Sequence, residues 1–193
     1  MPYPNLALAR IHGFDGRVLS SYLAQLYLRK SLNSIHGMLY NPDKEVNLAN
    51  PGGAPGGDVL EYIENSLDMR FVPQEFKFRP EDPPAKDILS ARLRAKYWGA
   101  QVITYRHFVR EILDFNFKKN RPNEPRGPVP GGFRSGINVP MISPNAKTMN
   151  DISLEFIECA RKGVKALIES TRAFHGLEEK RFIVTNVFGT SHA

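Results

Sequence analysis

The residues of this chain best able to do chemistry are five histidines, one cysteine, two pairs of adjacent carboxylates and a terminal Gly-Thr-Ser-His. Gly189-Thr190-Ser191-His192-Ala193 comes close to the tight strand-to-helix turn that projects a nucleophilic serine into a site, but no residues follow to build the helix. His12, His36, His107, His175 and His192 contain no pair four apart and no acid at metal-ligand spacing. Cys159 falls beside core positions of a helix without a basic neighbour to favour the thiolate, so it reads as an inert buried thiol. Glu81-Asp82 and Glu178-Glu179 lie in polar segments, where adjacency does not shift a pKa as burial would. The glycines at 52, 53, 56 and 57 lack the Gly-Lys-Ser/Thr ending and the preceding strand of a phosphate loop. The residues therefore assign no catalytic group, no cofactor-binding residue and no metal ligand, and a non-enzymatic protein is expected.

The elements that would position any site are helical. The organising stretch is Asp87 to Phe117, which contains no proline and would make one helix roughly 46 Å long at 1.5 Å per residue. Ala91, Ala95, Trp98, Val102, Tyr105, Val109 and Ile112 form one apolar stripe at steps of four and three. Leu89, Leu93, Tyr97, Ala100, Thr104 and Phe108 form a second, which makes the apolar arc wider than a surface helix needs. Only Arg92, Lys96, Arg106 and Arg110 are left on a narrow strip for water or a partner.

Before it, the segment from Val18 to Tyr40 reads as an interior helix with one polar strip of Gln25, Arg29, Asn33 and His36, ending ahead of Asn41-Pro42. Residues 41–57 are a proline- and glycine-rich loop, and Asp58 with Glu61 offers a capping box for a helix to about Arg70, faced by Leu60, Ile63 and Leu67. After a proline-rich connector and the long helix, residues 118–149 form the longest Pro/Gly-rich loop. Its basic residues Lys118, Lys119, Arg121, Arg126 and Arg134 are interrupted by acids and prolines and read as solvated.

A last helix opens at Asn150 or Asp151 and runs to about Phe174. Its apolar face is Ile157, Ala160, Val164, Leu167, Thr171 and Phe174, and its wet face includes a Glu158 to Lys162 pair. Gly176 supplies a left-handed residue after it. The terminal RFIVTNVFGTSHA has strand propensity, and its apolar Phe182, Ile183, Val187 and Phe188 read as an incomplete element that should promote association.

The 193 residues, 41% hydrophobic and 24% charged, suit one domain with a sizeable core. A net charge of +6 gives weak attraction for phosphate but no recognition motif. A single cysteine excludes an internal disulfide and fits a reducing compartment. No apolar run reaches the roughly 18 residues of a membrane span, and the N-terminus lacks a signal-peptide pattern, so no membrane partner is expected.

The segments SSYLAQLYLRKSLNSIHGMLYNP, DVLEYIENSLDMRFVP, ARLRAKYWGAQVITYRHFV, RKGVKALIESTRAFHG and RFIVTNVFGTSHA resemble, in order and spacing, the regulatory (middle homology) region of fungal zinc-cluster (six-cysteine) transcription factors. ARLRAKYWGAQ at 91–101 and the terminal FIVTNVFGTSHA are the most specific pieces. The resemblance implies an all-α domain of about four main helices with long Pro/Gly loops, spanning 1–193 as a partial regulatory domain truncated at its C-terminus. It implies a nuclear protein that meets DNA only through an N-terminal head absent from this chain. Zinc would be expected only in that head, since one cysteine cannot supply the six thiolates of the cluster.

A transcriptional co-regulator, a small-molecule effector and a second copy of the chain are the partners to expect. Such sequences tend to carry proline where His107 stands, and its replacement favours one unbroken helix. They also continue beyond the FGTSHA-like segment into a further apolar helix, so this tail is expected to begin a helix. The alternative is a helical small-molecule-binding or protein-interaction module with no role at DNA.

Overall fold

A computed structural model describes residues 13, 15–41, 59–67, 69, 72–120, 132–133 and 137–177, and among them every regular element is helical. The all-α expectation with four main helices is met: α1 Gly16–Tyr40, α2 Val59–Ser66, α3 Ile88–Asn120 and α4 Leu154–Arg172. Short 3-10 turns lie at Gln74–Phe76, Met149–Asp151 and His175–Leu177. The expected cap at Asp58, the terminal segment 181–193 and the basic residues Arg121, Arg126 and Arg134 lie outside the described residues.

Local chemistry sets where the helices start. Asp15 accepts from the Arg17 amide at 2.7 Å at the head of α1. Asp87 accepts from the Ser90 amide at 3.1 Å, which caps α3. Burial works against the Asp87 carboxylate, but the Ser90 bonds and an ion pair with Arg17 at 3.0 Å outweigh it and hold the carboxyl below its ordinary range. The α3 helix then runs unbroken through His107 and three residues past Phe117, so residues 118–120 belong to the helix and not to the following loop.

The last helix starts later than its sequence suggests. Asp151 accepts from the Lys147 and Thr148 amides at 2.9 and 2.7 Å and so closes a separate 3-10 turn. Ser153 caps α4 instead, accepting from the Phe156 amide at 3.3 Å.

Contacts divide the chain into two compact units, with the boundaries falling inside α1, α3 and α4. One unit holds Asn33–Ser66 and Gln101–Ala166. Its core joins Leu60 of α2, Tyr105 and Phe108 of α3, Ile152, and Phe156, Cys159 and Ala160 of α4. The expected apolar face of α4 is corrected here. Phe156, Cys159, Ala160, Gly163 and Ala166 are buried, whereas Val164 is 46% exposed and Leu167 44%. Close approach explains the choice of face: a Cβ on Gly163 would stand 2.6 Å from Cγ2 of Val109 and 3.1 Å from the Tyr105 carbonyl oxygen. Small residues let the α4 backbone sit down on α3, and dispersion contacts with large α3 side chains replace its own bulk.

The other unit holds Met1–Leu32, Leu67–Ala100 and Leu167–Ala193. Leu93, Trp98 and Ala100 are buried in it, and Ala85, Ala91 and Leu177 form a cluster with Ile88 packed against it. Gly176 is not left-handed, as the sequence suggested, since Gly13 holds the positive φ found among the described glycines. It serves close packing instead, because a Cβ there would lie 2.5 Å from the Ala85 carbonyl oxygen and 2.8 Å from that of Pro84.

The first helix buries a narrower stripe than an interior helix would. Ser21, Ala24, Leu28, Ser31, Ile35 and Leu39 are buried, while Val18 and Tyr22 are about half exposed. The expected Leu60 and Ile63 on α2, and Leu67 just past its end, are all buried.

Candidate functional site

The most concentrated group of polar and aromatic side chains lies where the end of α1 meets the middle of α3, within the unit of residues 33–66 and 101–166. Tyr40 is the last residue of α1, and its hydroxyl donates to the carbonyl oxygen of Ile103 at 2.7 Å. Arg106, one turn on, donates from Nε to the Tyr40 oxygen at 3.3 Å and carries its guanidinium carbon 4.7 Å from the centre of the ring. Burial raises the Tyr40 pKa, with Arg106 and Arg110 acting against the shift, so the phenol stays neutral and able to donate.

Phe133 supplies the third wall. Its ring centre lies 4.2 Å from His107, 5.6 Å from Tyr40 and 5.5 Å from Phe108, and His36 stacks on Tyr40 at 5.4 Å. Gly132 lies beside His107 and Arg110, since a Cβ there would fall about 4 Å from each side chain. The Nδ1 of His107 is buried without a hydrogen-bond partner. Burial lowers the pKa of this imidazole, Glu111 acts against the shift and Arg110 adds to it, so the ring is held neutral. The arrangement is a cationic and aromatic face, suited to holding a negatively charged or flat group.

A second polar group ties three helices of the same unit together. Tyr105 donates its hydroxyl to Oε1 of Glu64, and Nζ of Lys162 reaches the same oxygen at 2.5 Å. Burial opposes ionisation of Glu64, yet the bonds from Lys162 and Tyr105 prevail and hold its carboxyl below the usual range. Lys162 therefore pairs with α2, and Glu158, its expected partner, bonds Arg161 at 2.5 Å. With Glu64 and Lys162 about half exposed, this network fastens helices.

In the other unit, Arg94 bonds the Pro83 carbonyl oxygen and lies 4.8 Å over Phe78, which meets Tyr97 edge-on at 5.3 Å. The notch bounded by Phe78, Asp82, Arg94, Trp98 and Glu169 is small and shallow. Lys96 has its pKa lowered by burial and then by the nearby Arg92 and Arg29.

Among the described residues no group of three or more His, Cys, Asp or Glu could hold a metal ion, and Cys159 is a buried free thiol. His36 and His107 border the Tyr40 and Phe133 rings, His175 opens the turn His175–Leu177, and His12, Ser191 and His192 lie outside the described residues. Sequence reading left Arg106 and Arg110 on a strip open to a partner but gave no signal for Tyr40, which read only as a helix end, or for Phe133 and Gly132 inside a loop. No helix among the described residues is long and apolar enough to cross a membrane. No known family model, curated protein or solved structure matches the chain.

Proposed function

We propose that this chain is the helical regulatory region of a nuclear transcription regulator of the zinc-cluster kind, with DNA reading and zinc binding assigned to a separate head. The observation that carries the reading is the resemblance of residues 91–101, ARLRAKYWGAQ. These residues form an interior stretch of α3 in which Ala91, Leu93, Trp98 and Ala100 are buried. A motif used for packing is what a regulatory fold, as opposed to a catalytic site, would carry. The role is non-enzymatic, the compartment is the nucleus, and the partners are a co-regulator or a small effector, with self-association as a further mode.

Two measurements test it. Tethering the chain to an unrelated DNA-binding domain should raise or lower transcription of a reporter, and a fluorescent fusion in fungal cells should concentrate in the nucleus. An unchanged reporter together with an evenly spread fusion would overturn the proposal. Reading the genomic DNA upstream of Met1 adds an independent check, because a Cys-x2-Cys-x6-Cys frame is expected there.

The second reading, a small-molecule-binding module, is favoured by the Tyr40, Arg106, His107 and Phe133 cluster. A metabolite panel that raises the melting temperature by mass action would support it.

A further inference from the structure

Positive charge is unevenly spread along this chain. Residues 16–40 and 88–110 carry eight lysines and arginines and neither aspartate nor glutamate, so the remaining residues together are net negative. In the unit that contains residues 1–32 and 67–100, two of these cations are already engaged. Arg17 pairs with Asp87 at 3.0 Å, and Arg94 meets the Pro83 carbonyl oxygen and the Phe78 ring. Arg29 of α1 and Arg92 and Lys96 of α3 have no carboxylate partner among the described residues. Arg92 and Lys96 stand four apart on one face of α3, a like-charge spacing that destabilises a helix. Arg29 comes from α1 to within electrostatic reach of Lys96, which is itself half-buried. Gly99 lies one turn beyond Lys96 on the same face, and a Cβ there would meet nothing within 4 Å, so α3 is open beside the cations. Burial and two cationic neighbours all oppose the charge on Lys96, a cost that an anion from outside the chain would offset.

We propose that Arg29, Arg92 and Lys96 form a binding site for a phosphate-bearing small molecule, with a diphosphate as the group that fits three cations on two helices. Tetrahedral phosphates accept from several directions at once, whereas a carboxylate has two oxygens in one plane and is satisfied by a single guanidinium. Lys96 supplies a compact, partly desolvated ammonium, and the exposed Arg29 and Arg92 add a planar fork from each helix. The site goes beyond the regulatory reading. It is a property of the chain by itself, so a silent reporter leaves it untouched.

The test is calorimetric titration of the whole chain with pyrophosphate in one arm and citrate in the other, at ionic strength held constant with chloride. Saturable binding of pyrophosphate, tighter than that of citrate, is expected. Lys96→Gln should weaken it by about tenfold, as loss of a hydrogen bond to a charged group implies. Arg29→Gln and Arg92→Gln, at more exposed positions, should each weaken it by about three- to fivefold. Lys77→Gln removes the same charge from an exposed position of the same unit and should bind like the wild type. Without ligand, Lys96→Gln should melt no lower than the wild type, which separates lost binding from lost fold. With pyrophosphate, the wild type should gain more in melting temperature than this variant does. Lack of saturation with pyrophosphate, citrate binding as tightly, or a Lys77→Gln loss equal to that of Lys96→Gln would overturn the proposal.

Discussion

A methyl group on Gly163 would press on Val109 and on the backbone of Tyr105, and one on Gly176 would press on two consecutive carbonyl oxygens. In a free helix, alanine would be better than glycine by about 1 kcal/mol. Here overpacking decides, at about 1–3 kcal/mol. Gly163→Ala and Gly176→Ala should therefore both lower the urea midpoint, and a rise in either would show that the surroundings give way easily. Trp98 is 8% exposed, and Trp98→Ala should cost about 3–5 kcal/mol, as removing a core aromatic does. A cost under about 1 kcal/mol would place it on the surface.

His107 makes a prediction about pH. Its folded-state pKa lies below the ordinary value of 6.5, so the neutral ring favours the fold. That contribution is complete above the unfolded-state pKa and is lost as pH falls from about 6.5 toward the folded value. Stability should thus decline between about pH 7.5 and 5, with a shallower decline in His107→Phe. Parallel slopes in the two proteins would show that other groups carry the effect.

At the scale of the element, α4 shows how a helix can present its bulk outward. Sequence periodicity finds the widest run of large apolar residues, here Val164, Leu167 and Phe174, and takes it for the buried face. The face in contact with α3 keeps the expected Ala160 and is otherwise built around Cys159 and Gly163, because closeness of backbones yields more contact than side-chain volume at a distance. Its charged face behaves as short-range chemistry requires: Arg161 to Glu158 and Arg172 to Glu169 are three apart. Lys162 departs from that rule by reaching Glu64 of α2, which also accepts from Tyr105.

For the whole molecule, the net charge of +6 supplies attraction for phosphate that does not by itself select a sequence. The chain should bind random and selected duplexes alike, with affinity falling steeply between about 50 and 200 mM salt as counterion release demands. It should purify without stoichiometric zinc, one cysteine being too few for a thiolate site. A duplex preference that survives the higher salt, or zinc bound one-to-one or more, would contradict the assignment of both functions to another part of the protein.

The sequence by itself determined the helical class, the C-terminal end of α1, the start of α3 and the buried positions Leu60 and Ile63 of α2. These depend on capping residues, proline and apolar spacing, which act within a few residues of one another. Tertiary structure alone decided the buried side of α4, the partner of Lys162 and the role of Gly176, since each turns on how closely a distant segment approaches. The Tyr40 cluster belongs to that second group. Its members are separated by 63 residues between Tyr40 and Ile103, and only packing of α1 on α3 brings a terminal tyrosine under an arginine whose sequence context marks it as one more solvated charge.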